Sequence, residues 1–231
     1  MKGDLMGKSC GIRNVLFMAA LTIVVLVAPI CFGYEDEGFQ WWTTTSATVD
    51  LNDNWKCVFD QEFRLGDDGG NLYYEHSDLG LVYSGLADWI DLGANFRLIY
   101  EKDSSDHFQR ENMPHLNVTF KANLFDCQLS TRSRFEFRDR TNKDDVWRYR
   151  NKFAVKLPFE LTVLKFKPYL SEEIFVTMND DNIGKSRLAF GATFPLSKKV
   201  DADVFYMWQA TRSGGEWLDI NVLGTGLKFK F

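Results

Sequence analysis

At 231 residues the chain is long enough for one large all-β domain or two small ones. Its 27 Lys and Arg against 32 Asp and Glu give a formal charge of −5, a mildly acidic balance that excludes a general nucleic-acid binder. Four cysteines and three histidines, with no C-x-x-C or H-E-x-x-H, exclude a disulfide scaffold and give no zinc pattern, so no cofactor is expected.

The chain opens with MKGDLMGKSCGIRNVLFMAALTIVVLVAPICFGYEDEG. Lys2, Lys8 and Arg13 form a positive n-region, and Val15 to Val27 form an apolar run broken only by Thr22. Pro29 ends any helix, and Cys31-Phe32-Gly33 sets small residues at the minus-three and minus-one positions of a cleavage site. The pattern predicts a secretory signal peptide over 1–33, cleaved after about Gly33, and a mature domain over 34–231. The apolar run is short for a transmembrane helix, which needs roughly 20 residues, so an uncleaved anchor is the lesser reading. Ala28-Pro29-Ile30-Cys31 is a poor lipobox, which weighs against lipoprotein processing. Removing Lys2, Lys8, Arg13 and Asp4 with the leader takes the formal charge from −5 to about −7. Cys57 and Cys127 are the mature chain's cysteines; they could pair in an oxidising compartment, but two separate buried thiols are the favoured reading.

Past position 38, two-residue alternation recurs, punctuated by short polar or glycine-bearing breaks. It predicts strands over 39–49, 55–65, 71–84, 88–101, 114–125, 127–140, 146–158, 161–176, 185–195, 199–211 and 217–231. Most exceed the usual strand length of about five or six residues. Long contiguous strands on short turns describe a meander within one domain. In 147–157, Trp147, Tyr149, Asn151, Phe153, Val155 and Leu157 oppose Arg148, Arg150, Lys152, Ala154 and Lys156. In 88–101, Ile90, Leu92, Ala94, Phe96, Leu98 and Tyr100 oppose Asp91, Asn95, Arg97 and Glu101. A soluble barrel would turn the apolar face inward, whereas a membrane barrel turns it to lipid. The strands are long enough to cross a bilayer at a tilt, which takes about 9–11 residues. Trp41, Trp42, Trp55, Trp89, Trp147, Trp208 and Trp217 fall near strand ends, as interfacial girdles require.

The chain stops at LGTGLKFKF, where Leu223, Thr225, Leu227, Phe229 and Phe231 fall on every second residue. A terminal aromatic with alternating apolar positions matches the last strand of bacterial outer-membrane barrels, which their assembly machinery recognises. From about Phe39 onward, FQWWTTTSATVDLNDNWKCVFDQEFRLGDDGGNLYYEHSDLGLVY, RENMPHLNVTF, LSTRSRFEFRDR, DDVWRYRNKFAVKLP, KPYLSEEIF and NVLGTGLKFKF resemble domain of unknown function family 2490. The resemblance covers nearly the whole mature chain. It implies an outer-membrane β-barrel of Gram-negative bacteria and supplies no catalytic residue.

By alternation the predicted lumen set is Glu62, Arg64, Arg97, Glu101, Arg132, Arg134, Glu136, Arg138, Arg148, Arg150, Glu173 and Arg187. Unpaired charges away from water are costly, so Glu62, Glu101, Glu136 and Glu173 are the expected partners of the arginines. One reading is a structural network that fixes the barrel; the sharper one is an arginine-lined constriction attracting a small anionic solute. His76-Ser77-Asp78 is a local cluster with base, hydroxyl and carboxylate. Adjacent residues of a strand point to opposite faces, so a rim histidine is favoured over a catalytic one, and His107 and His115 read as loop surface residues.

Breaks near 50–54, 85–87, 126, 159–160 and 196–198 are short, and those near 66–70, 102–113, 141–145, 177–184 and 212–216 are longer. Short turns belong to the periplasmic end, which places Phe231 there and starts the first strand on the outer side. Single-chain bacterial barrels usually have an even strand number, so the expectation is a transmembrane antiparallel up-and-down barrel of about twelve strands, with about ten as the fallback and 103–125 as the stretch to divide. The expected partners are outer-membrane lipid and the barrel assembly machinery. The expected function is a narrow porin-like channel. The alternatives are a closed structural barrel, an outer-membrane lipid hydrolase, and a soluble periplasmic barrel binding an apolar ligand.

Overall fold

Side chains that branch at Cβ or carry rings suit a pleated surface, and here they recur every second residue through long stretches. A computed structural model describes residues 38–66, 69–162, 164–178 and 182–231, so the predicted leader lies outside the described residues. The strands are β1 (Gly38–Asp50), β2 (Trp55–Gly66), β3 (Asn71–Ala87), β4 (Ile90–Lys102), β5 (Phe108–Leu124), β6 (Cys127–Arg140), β7 (Val146–Lys156), β8 (Lys167–Thr177), β9 (Asn182–Pro195), β10 (Val200–Ser213) and β11 (Glu216–Lys230). Each pairs with its sequence neighbours, and β1 pairs with β11 to close a barrel.

The barrel closes with eleven strands among the described residues, not twelve or ten. The stretch 103–125 does not divide: β5 is one strand of 17 residues. Neighbours linked by hairpins alternate in direction, so an odd number brings the first and last strands together pointing the same way. The seam is therefore parallel, with Gly38 opposite Ile220 and Thr48 opposite Lys230. The barrel is accordingly antiparallel at every pair but this one. At the chain end the Phe231 N–H donates to Thr48 O at 3.0 Å, and Asp50 N–H donates to Phe231 O at 3.1 Å. Gly38 and Phe231 thus lie at opposite ends of the barrel. The predicted strand 161–176 starts later, at Lys167: Leu161 and Phe166 instead pair in an isolated antiparallel bridge, and the Lys165 N–H donates to Thr162 O at 3.1 Å.

Burial assigns the faces, and it inverts the arrangement of a soluble barrel. Leu116 is 61% exposed and Phe190 62%, and Phe59, Leu79, Phe96, Phe135, Leu223 and Leu227 are also exposed. Glu136 is 0% exposed, and Asp78, Arg97, Arg134 and Glu173 are buried. Outward aromatics pair near the strand ends: Trp55 with Tyr83 at 4.9 Å and Trp89 with Phe120 at 6.0 Å on the Phe231 side, and Phe137 with Trp147 at 5.1 Å on the other. Trp42 departs from the expected girdle. It is buried inside with Ala189, Met207 and Val222.

Inside the barrel, Phe205 has a glycine on each neighbouring strand, Gly191 on β9 and Gly224 on β11. Its ring lies over Gly224, where a Cβ would collide with it. An aromatic covering a strand glycine in this way restores the packing that the missing side chain forfeits. Gly224→Ala should therefore lower the melting temperature, at a cost of about 1–3 kcal/mol typical of overpacking. Gly226→Ala, whose Cβ would meet Asp203 and Thr44 at 3.4 Å, should cost less. Thermal melts followed by circular dichroism in detergent check the difference.

Candidate functional site

Alternation sends one side chain in two toward the axis, and the eleven strands deliver a dense charged interior. Three carboxylates organise it. Glu136 on β6 accepts from Arg148 Nε at 2.5 Å and Arg150 Nη1 at 2.8 Å, and lies 3.7 Å from Arg134 Nη1. Glu173 on β8 accepts from Arg150 Nη2 at 2.8 Å and lies 3.5 Å from Arg187 and 3.6 Å from Arg132. Asp78 on β3 accepts from Arg97 Nε and Nη2 at 2.7 Å and from Asn95 Nδ2 at 2.8 Å. Asn117 links two of these groups: it donates to Asn95 Oδ1 at 2.9 Å and accepts from Arg134 Nε at 2.7 Å. Charge-assisted contacts of this kind are the strong ones.

Around this centre the other predicted residues make local pairs. Arg138 grips Glu111 through two contacts of 2.6 Å. Arg64 donates to Glu62 at 2.7 Å, with its guanidinium 3.8 Å from the Trp42 ring centroid and 3.9 Å from that of Tyr74. Arg187 donates to Gln209 at 2.7 Å and lies over Trp42 and Phe175. Guanidinium planes stack readily on rings in this way. Glu101 stands apart: it is exposed, and it makes no ion pair within 4 Å among the described residues. The predicted lumen set is thus brought together apart from Glu101, which stays at the rim because it lies one residue from the end of β4.

Two histidines differ from their sequence reading. His76 is buried, 3.6 Å from Glu62, and is not a rim residue. His115 is buried within β5 and is not on a loop. Its Nδ1 donates to Met113 O at 3.3 Å, which leaves Nε2 facing Asp78 at 3.5 Å. His107 is exposed in a turn. His76 and Asp78 face inward, while Ser77 faces outward and donates to Gln61 on the neighbouring strand. The His76, Ser77 and Asp78 side chains therefore do not converge on one centre. Cys57 and Cys127 are free thiols on strands that are not neighbours.

Side chains fill the middle of the barrel. Tyr74, Ile99 and Met113 form one apolar cluster inside, and Trp42, Ala189, Met207 and Val222 form another, with the arginine network beside them. On the Phe231 side a cavity of about 330 Å³ remains. Arg64, Arg97, Arg132, Arg134, Arg150, Lys152, Lys156, Arg187 and Lys228 line it against Asp60, Glu62, Glu173 and Asp203. Even with Glu136 and Asp78 counted as partners, cations exceed carboxylates.

The profile of the family described as "Protein of unknown function (DUF2490)" matches residues 39–219. The chain belongs to this family. For a DUF2490 chain the family description assigns no activity, so the roles of the residues rest on the geometry above. A solved structure described as outer-membrane expressed OmpT of Vibrio cholerae aligns over 74% of this chain, with 10% identity and a TM-score of 0.37. The alignment covers 61% of the OmpT chain, so this DUF2490 chain spans under two thirds of that protein's length. No curated protein matches it.

Sequence reasoning about this DUF2490 chain missed Asp78, Glu111, His115 and Asn117 as interior residues, and it left Lys152 out of the lumen set although it put that residue on the face of Arg148 and Arg150. The signal was present for each. Asp78 shares the parity of His76, and Lys152 shares that of Arg148 and Arg150. His115 and Asn117 flank outward Leu116 within the predicted strand 114–125, and Glu111 joins their face once β5 begins at Phe108.

Proposed function

We propose that this protein is an outer-membrane β-barrel that is closed at mid-height and carries a cationic vestibule at its periplasmic end. The observation that carries the reading is the inversion of faces: the largest exposed side chains are apolar and the most buried include Glu136 and Asp78. An apolar belt running round a barrel marks a surface meant for something other than water, and strands of 11 to 17 residues can span a bilayer at a tilt. The outward aromatic pairs at both ends match interfacial girdles.

Between a narrow open channel and a closed barrel, burial favours the closed one. Inward residues on ten strands, among them Trp42, Ile99, Met113, Glu136, Arg150, Glu173 and Val222, are less than 9% exposed, and an open lumen would wet them. The porin-like reading then requires the plug to move. The wild-type barrel, reconstituted in a planar bilayer at neutral pH, is expected to give no steady conductance steps; steady anion-preferring steps would replace the closed reading with the porin-like one. The protein is also expected to be monodisperse in detergent and to aggregate in plain buffer, and monodispersity in plain buffer would return the soluble periplasmic reading.

Catalysis has no place in this proposal. Ser77 is outside and His76 and Asp78 are inside, so Ser77→Ala should leave lipid hydrolysis at its background level.

Leu223, Leu227 and Phe231 are exposed on the outer face, and Thr225 and Phe229 share their parity. This is the surface that the barrel assembly machinery would read. Deleting Phe231 also removes the two hydrogen bonds it exchanges with β1. The deletion should reduce the yield of protease-resistant barrel in outer-membrane fractions several-fold, while Lys230→Ala should leave it unchanged.

A further inference from the structure

The cavity on the Phe231 side has two unlike walls. β1 and β6 lie on opposite sides of an eleven-strand ring. From β6 and its neighbour β7 come Arg132, Arg134 and Lys152; from β1 and β10 across the cavity come Trp42, Phe205 and Met207.

The cations of the first wall are under-satisfied. Arg134 is 5% exposed, and its Nη1 has no hydrogen-bond partner among the described residues. The nearest carboxylate oxygen to that nitrogen, on Glu136, is 3.7 Å away and already serves Arg150. Arg132 reaches no carboxylate closer than Glu173 at 3.6 Å, and Lys152 makes no ion pair within 4 Å among the described residues. Register aggravates this, because Arg132 lies opposite Lys152 and Arg134 opposite Arg150. Like charges facing each other across strands repel, and a buried cation short of acceptors is costly. An anion placed between these groups would supply what they lack.

We propose that the cavity binds a small organic anion, with a phosphate or carboxylate head on Arg132, Arg134 and Lys152 and an apolar body against Trp42, Phe205 and Met207. Planar guanidiniums offer the paired donors that such heads accept. A volume of about 330 Å³ is at the small end of the range for small-molecule sites. The site is too small for a two-chain lipid, so the occupant is a soluble molecule. The inference rests on the charged, partly filled lumen, and a barrel that conducts would leave it standing.

The test uses the full mature chain in detergent micelles, with phenyl phosphate, inorganic phosphate and phenol as probes in equilibrium dialysis against empty micelles. Phenyl phosphate should bind about ten-fold more tightly than inorganic phosphate, and phenol should show no excess over empty micelles. Rising salt should weaken phenyl phosphate binding. Arg132→Gln with Lys152→Gln should weaken it at least about ten-fold, while Lys121→Gln, outside the cavity, should not. Binding that is salt-insensitive, or that survives the double substitution, overturns the proposal. So does the absence of phenyl phosphate binding to the wild-type protein at millimolar concentration. Equal binding of the two phosphates overturns the assignment of the apolar wall. The salt dependence of the wild type keeps the test decisive if the double variant does not fold.

Discussion

Replacing Glu136 with Gln should destabilise the barrel by about 3–5 kcal/mol, the cost of breaking a buried ion pair from one side. Glu136 is 0% exposed, and it is the acceptor for Arg148 Nε and Arg150 Nη1, with Arg134 alongside. Glutamine keeps the volume and one acceptor oxygen but removes the charge. The guanidiniums of Arg134 and Arg150, cross-strand neighbours in register, are then left to repel each other with only Glu173 close to Arg150. Glu111→Gln is the comparison: it removes the partner of a single arginine, Arg138, whose side chain is 19% exposed, so its cost should be smaller. Urea unfolding in detergent at matched conditions gives the ordering. The closed reading adds a second expectation, because the same substitution loosens the plug. Intermittent anion-preferring steps should appear in Glu136→Gln under conditions where the wild type stays silent. A variant as stable as wild type would mean that Glu136 is not the organising carboxylate.

Which residues face inward was legible wherever a strand was recognised, because a period of two fixes parity independently of what the strand packs against. Arg132, Arg134, Glu136 and Arg138 follow from STRSRFEFRDR alone. What a period cannot give is the partner on the neighbouring strand. That Arg97 meets Asp78, and that Glu173 meets Arg150 and Arg187, depends on register and shear between strands. The parity of β5 was lost for a different reason. RENMPH contains a proline and four polar residues and so reads as a loop, yet Pro114 faces outward on a strand and Met113 is 0% exposed inside. A strand begun at Pro114 leaves out Glu111 and Met113, and with Met113 the apolar cluster that it forms with Tyr74 and Ile99. Strand parity also produced the error in number. Alternation delimits eleven strands and the preference of known barrels for even numbers points to twelve, whereas the parallel β1–β11 seam accommodates the odd strand.

Leu116→Arg separates the membrane reading from the soluble one by the size of its effect. Leu116 is at the centre of the 17-residue β5, 61% exposed, between Ala94 on β4 and Phe135 on β6. On a water-facing surface such a change normally stays within about 0.5 kcal/mol. On the lipid face of a barrel at mid-bilayer, the same arginine costs about 2–4 kcal/mol, falling to about 0–1 near the interface. Phe120→Arg supplies the second depth, since Phe120 stacks on Trp89 near the short-turn end of the barrel. Folding into lipid vesicles from urea should therefore show a large loss for Leu116→Arg and a smaller one for Phe120→Arg. The Phe120 loss would include the stacking with Trp89, which makes the gap between the two a lower bound on the depth effect. Equal small losses at both positions would mean that the apolar belt does not face lipid.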